Sequence, residues 1–312
     1  MIRPPAGDGF GLASLRGEPR RVRKEKLIRT AFMGTAALSI VVSVLIVLTL
    51  AQETLTFVTG VEFSALWSEG WFPRRGLYDI RTIFVGSVLV TAIGMLVAAP
   101  LGMGAAVYLA EYARPGVRRV VKPALEILAG IPSVVVGFFA LTWVSPQIVQ
   151  RLNEQATLFN LAAAGIGVGI LVTPLVASIA EDAMKAVPRS LREASYGMGA
   201  RKVTTSVRVV IPAAVSGLVA AFIIGISRAI GETMVVAIAA GASGGSLFGW
   251  NVFDRGQTMT AAMASMAGGT DAVKGAGLTF QSLFFVGALL FVITLSLNLF
   301  AGRFVRRVRQ KY

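Results

Sequence analysis

Residues 193–212 read EASYGMGARKVTTSVRVVIP, a basic stretch that runs straight into the apolar segment Pro212–Gly241. Charged side chains and irregular backbone stay out of hydrocarbon, so polar surface lodged between apolar runs has its partner outside the lipid. The run before it is Ala156–Ala180, and four more lie further out: Ala31–Ala51, Ile83–Ala110, Pro123–Val144 and Leu283–Gly302. Each reaches the roughly 20 residues that a membrane helix needs. Charged residues make up 15% of the 312-residue chain, against about 25% in an ordinary soluble protein. The sequence therefore predicts an all-α integral membrane protein with six transmembrane helices.

Six spans put both termini on one side. Of the 30 Lys and Arg, 23 fall on that side, six on the other, and Arg228 lies within a span. The positive-inside bias makes the basic side cytoplasmic, so the net charge of +14 reflects topology and nucleic acid is not an expected partner. The expected organisation is a basic, disordered tail over residues 1–30, a first transmembrane helix over 31–51, a core over 83–302 and a basic tail over 303–312. Within the core, residues 181–211 form a cytoplasmic loop. The first span exceeds the 7–15 apolar residues of a cleavable signal and reads as a retained anchor in membrane lipid. Without Cys or His the usual thiolate and imidazole ligands are missing, and no metal or cofactor is expected. No Gly-x-x-x-x-Gly-Lys-Ser/Thr occurs, so no Walker loop holds ATP phosphates here. Gly165-Ile166-Gly167-Val168-Gly169 lies inside an apolar run and predicts close helix packing. Pro100, Pro132 and Pro174 predict kinks, and Trp67, Trp71 and Trp143 predict interfacial placement.

The loop has its own punctuation. Pro188 ends a short helix that begins near Glu181, and Ser190-Leu191-Arg192-Glu193 has the spacing of a capping box. Ala194 to Met198 continue this second helix until Gly197 and Gly199 stop it. Pro212 suits the first turn of the next span, where its missing N–H costs nothing. Two short helices should thus lie across the cytoplasmic face. Glu193 serves either as a simple cap or as part of a docking surface, where Ala194, Ser195 and Gly199 permit close backbone approach.

Arg228 stands 16 residues into the Pro212–Gly241 run, roughly 24 Å along a helix. A charge in such a position costs about 2.5–3.5 kcal/mol on insertion scales. Glu232 is four residues on, within pairing distance on the same face. The pair either fixes helix packing or is a polar contact on a translocation path. A guanidinium suits an oxyanion because it stays charged and donates two parallel hydrogen bonds.

Glu193-Ala194-Ser195, Gly199 and Val209-Val210-Ile211-Pro212 together resemble the EAA loop of ABC importer permeases, with Ser195, Val209 and Ile211 as mild departures. The resemblance implies a type I ABC importer permease fold, in which Ser190, Glu193, Ala194, Ser195, Gly199 and Pro212 belong to a coupling loop seated on a cytosolic ATPase. Ser227–Met234 narrows it, with Tyr108–Ala113, Leu128–Ser133 and Gln257–Ala261 in agreement. These segments are similar to the PstC-type permeases of bacterial phosphate importers. Met234-Val235 departs from the Ala-Pro usual in the companion PstA-type permease. That resemblance implies a plasma-membrane subunit with no covalent chemistry of its own, with Arg228 and Glu232 on the path for inorganic phosphate. It also implies a PstA-type second permease, a PstB-type ATPase dimer and an extracytoplasmic PstS-type phosphate-binding protein. Two other readings remain at this point: a permease for molybdate or sulfate, and a membrane scaffold or phosphate sensor that transports nothing.

Overall fold

The computed structural model describes residues 19–241, 245–268 and 277–308. The chain divides into two units, residues 1–52 and 53–312, and helix α1 (Pro19–Gly60) contributes to both. In the first unit the helix starts at Pro19, so the tail expected to be disordered over residues 1–30 is helical from there; residues 1–18 lie outside the described residues. Its apolar residues occupy every side, as a membrane span requires. Its hydroxyls stay satisfied in such surroundings because Ser43 and Thr49 donate to carbonyls four residues back, at 2.9 Å each.

Among its described residues the second unit adds three short strands that hydropathy did not reveal: β1 (Gly70–Phe72), β2 (Leu77–Tyr78) and β3 (Ser246–Leu247). They form an antiparallel sheet in the order β2-β1-β3, with Trp71 opposite Tyr78 and Ser246. Trp71 is consequently buried with Phe57, Ile83 and Met259 and is no interfacial anchor. Trp67 and Trp143 are exposed, as interfacial side chains are.

Asp79 caps α2 (Ile80–Val107) by accepting from the Arg81 amide at 3.3 Å and the Thr82 hydroxyl at 2.8 Å. The helix closes in a π-turn, Tyr108–Tyr112. Next comes α3 (Pro115–Ala129), amphipathic and without a buried residue. The chain breaks at Pro132, whose extended backbone cannot continue the helix. The third span is therefore not Pro123–Val144 but Ser133–Leu152, built from α4 (Ser133–Phe139), a π-helical stretch Ala140–Val149 and α5 (Gln150–Leu152). The apolar face of α3 had lengthened the hydropathic run.

Asn160 caps α6 (Leu161–Lys185), accepting from the Ala163 amide at 2.7 Å. Along α2 the two backbones touch: a Cβ on Gly169 would meet the Gly94 carbonyl oxygen at 2.7 Å, and one on Gly165 would meet Ile93 at 2.7 Å. The glycine-rich stretch thus packs helices, as expected. Glu181 lies near the end of α6, not at the start of a separate helix.

The loop helix α7 (Arg189–Gly197) is followed by α8 (Lys202–Thr205), a π-turn Ser206–Val210 and α9 (Ile211–Ile230). These last three form one continuous span, Lys202–Ile230. Pro212 therefore opens only its final straight section. The Ile211 amide donates to Ser206 five residues back, so the widened turn sits where proline deletes a donor from the ladder. The expected run to Gly241 is broken: α9 ends at Ile230, and α10 (Met234–Ala239) begins after Gly231, Glu232 and Thr233. Apolar residues on both sides hid the break from hydropathy. Finally, α11 (Met259–Ala267) carries a Thr258 cap, and α12 (Thr279–Val308) is the last of six helices among the described residues long and apolar enough to cross a membrane.

Candidate functional site

Helix α7 forms the outer surface of the loop. Its first turn carries no side-chain cap, because extended Pro188 occupies the capping position and places Ser190 inside the helix. The predicted capping box is therefore absent, and the Ser190 and Glu193 side chains are both exposed. Ala194, Gly199 and Met198 share that exposed surface, Met198 at 89%. Leu191, Arg192 and Ser195 turn inward. Leu191 packs against the buried cluster of Met184, Val187 and Val210.

The helix stops as the spacing predicted, though at Gly199 alone. Gly199 has φ +78°, and its amide donates to Tyr196 at 2.9 Å while Ala200 donates to Ser195 at 3.1 Å. That is a Schellman end, whose left-handed residue favours glycine. The Ser195 and Thr205 hydroxyls then meet at 2.8 Å across the turn.

Two buried carboxylates at the loop ends of α2 and α6 escaped the sequence reading. Glu111, in the π-turn that ends α2, binds Arg192 at 2.9 Å. Glu181 gathers Lys185, Arg118 at 3.2 Å and Lys122 at 3.7 Å, which ties α3 to the end of α6. Glu111 falls in the family-like segment Tyr108–Ala113, and Arg192 directly precedes Glu193. No local spacing connects residues 81 positions apart.

At the other feature, the structure brings Arg228 and Glu232 together. Arg228 is in the last turn of α9, and its Nη1 donates to Glu232 Oε2 at 2.6 Å. Glu232 lies in the break, 3% exposed, with its amide on the Ala229 carbonyl at 3.1 Å and its own carbonyl accepting from Thr260 at 2.8 Å. Its other carboxylate oxygen faces the Val235 amide at the start of α10, at a long 3.5 Å. The carboxylate is thus held between α9 and the start of α10, while Thr260 of α11 holds the Glu232 backbone. Arg228 remains 47% exposed, so the pair is buried only on its acidic side. Among the described residues, no group of His, Cys, Asp and Glu is placed to hold a metal.

The fold has solved counterparts. A bacterial alginate ABC transporter, in complex with its alginate-bound periplasmic protein, aligns at TM-score 0.65 and 15% identity over 94% of this chain and 98% of its own. An inward-facing MetNI methionine ABC transporter aligns at 0.55 and 21% identity over 74% and 96%. At those identities the likeness concerns the fold. Sequence relatives stand nearer. The phosphate transport system permease protein PstC of Mesorhizobium japonicum is 33% identical over 79% of each chain, and that of Xylella fastidiosa is 30% identical over 92% of this chain and 91% of its own. The probable ABC transporter permease YqgH of Bacillus subtilis is 38% identical over 59% of each. The model of the binding-protein-dependent transport system inner membrane component matches residues 98–310. By that match this multi-pass membrane chain belongs to the binding-protein-dependent transport system inner membrane component family.

Proposed function

We propose that this chain is one of two membrane halves of an ATP-driven importer for inorganic phosphate. A second, PstA-type permease would complete the path, a PstB-type ATPase dimer would supply energy, and a PstS-type binding protein would deliver the anion. The observation that carries the choice of substrate is Arg228. A guanidinium has five N–H donors, and among the described residues this one meets a single partner, Glu232. Its remaining donors and half-exposed surface suit a tetrahedral oxyanion, while buried Glu232 fixes its orientation. An arriving phosphate competes with Glu232 for the guanidinium, and the retained carboxylate disfavours a dianion that lingers.

The exposed surface of α7 supports the second half of the reading. Glu193, Ala194 and Gly199 present small residues around one carboxylate, next to Met198, an adaptable apolar side chain. Such a surface suits a groove on a cytosolic subunit. The test is reconstitution of the four-component complex into vesicles and measurement of ATP-dependent uptake of labelled phosphate. Uptake should be blocked by unlabelled phosphate and hardly affected by sulfate or molybdate. Equal competition by all three anions would overturn the assignment of phosphate.

A further inference from the structure

The side chain next to Glu193 faces the opposite way and is almost fully engaged. Arg192 donates from Nη2 and Nε to Glu111 Oε1, at 2.9 and 3.3 Å. The same guanidinium donates from Nη2 to the Met184 carbonyl at 2.8 Å and from Nη1 to the Val187 carbonyl at 2.7 Å. Those carbonyls sit in and just beyond the last turn of α6, where a helix has no internal donors left to offer. One side chain therefore joins α7 to the ends of both α2 and α6. Burial is high on each side of the ion pair, with Arg192 17% exposed and Glu111 4%. α7 also meets the start of the span that holds α9, through the left-handed turn at Gly199, the Ser195–Thr205 hydroxyl contact and Leu191 packed on the cluster that includes Val210, with no ion pair between them among the described residues.

We propose that Arg192 is a positioning residue, a strut that keeps α7 and the loop ends of α2 and α6 in one rigid body throughout the transport cycle. Displacement of the docking helix then enters the membrane through α2 and α6, whose backbones touch at Gly94 and Gly169, as well as through the span that holds α9. This inference rests on the proposed docking of α7 to an ATPase.

The test uses the reconstituted complex and reads phosphate moved per ATP hydrolysed, together with the amount of ATPase that co-purifies. In Arg192→Met and in Glu111→Gln the ratio should fall on the order of tenfold while ATPase still co-purifies. Arg192→Lys, which keeps the charge and loses the fork, should fall less; if Arg192→Met does not assemble, the ratio is read on Arg192→Lys. The chain has no Cys, so Arg192→Cys with Glu111→Cys offers a clean pair for a short bifunctional thiol reagent. A strut that never opens predicts that cross-linking restores the ratio lost in the double variant. Loss of uptake on cross-linking, or an unchanged ratio in Arg192→Met, overturns the strut and leaves docking intact. An ATPase that fails to bind even the unsubstituted chain overturns the docking reading and the strut with it.

Discussion

Two Arg–Glu pairs use the same chemistry for opposite ends. Both bury the carboxylate, with Glu111 and Glu232 at 4% and 3% exposure. Arg192 spends its donors on a carboxylate and two backbone carbonyls, whereas among the described residues Arg228 meets only Glu232. The difference lies in the arginine. A saturated guanidinium welds helices together; an unsaturated one held in place by a buried acid has hydrogen bonds left for a ligand. Identity and sequence spacing cannot tell these roles apart, and the count of occupied donors can.

The comparison breaks first at Arg228. Arg228→Ala should cut ATP-dependent phosphate uptake by about 100-fold or more, with ATPase co-purification as in the unsubstituted chain. Retained uptake would place the guanidinium with Arg192 among structural ties. Next in size is stability: Glu111→Ala leaves a buried, many-bonded cation and should cost about 3–5 kcal/mol, read as a lowered unfolding temperature of the purified complex. Glu232→Ala should lower it distinctly less, since Arg228 already reaches the surface. Equal losses would erase the distinction between the two pairs. A smaller effect is expected at the turn between them, where Gly199→Val forces a branched residue to φ +78° at roughly 1–2 kcal/mol. Last, Glu193→Gln should leave the unfolding temperature where it is and weaken only retention of the ATPase during purification. A shift in that temperature would return Glu193 to the role of a cap.

Hydropathy revealed the six spans because lipid imposes length and composition on each of them. It misjudged their ends wherever a break had apolar residues on both sides. Gly231 is one case, and the junction from α3 through Pro132 to α4 is another. The three strands are two or three residues long, too short to impose an alternating pattern. At the site, Arg228 and Glu232 were legible because charge is rare in an apolar run and four residues make one helical turn. Ser190 and Glu193 looked like a capping pair only because the chain gives no sign that Pro188 starts the helix itself. Arg192 and Glu111 were out of reach, since only the fold brings residues 81 positions apart into contact.

The seam between α2 and α6 has an evolutionary consequence. Where Gly169 faces the Gly94 carbonyl and Gly165 faces Ile93, neither wall can grow unless the other gives way. Drift across this seam is expected to proceed through paired exchanges, bulk gained on one helix being surrendered on its neighbour, so descendants of this chain should vary there in couples while its lipid-facing surfaces wander residue by residue.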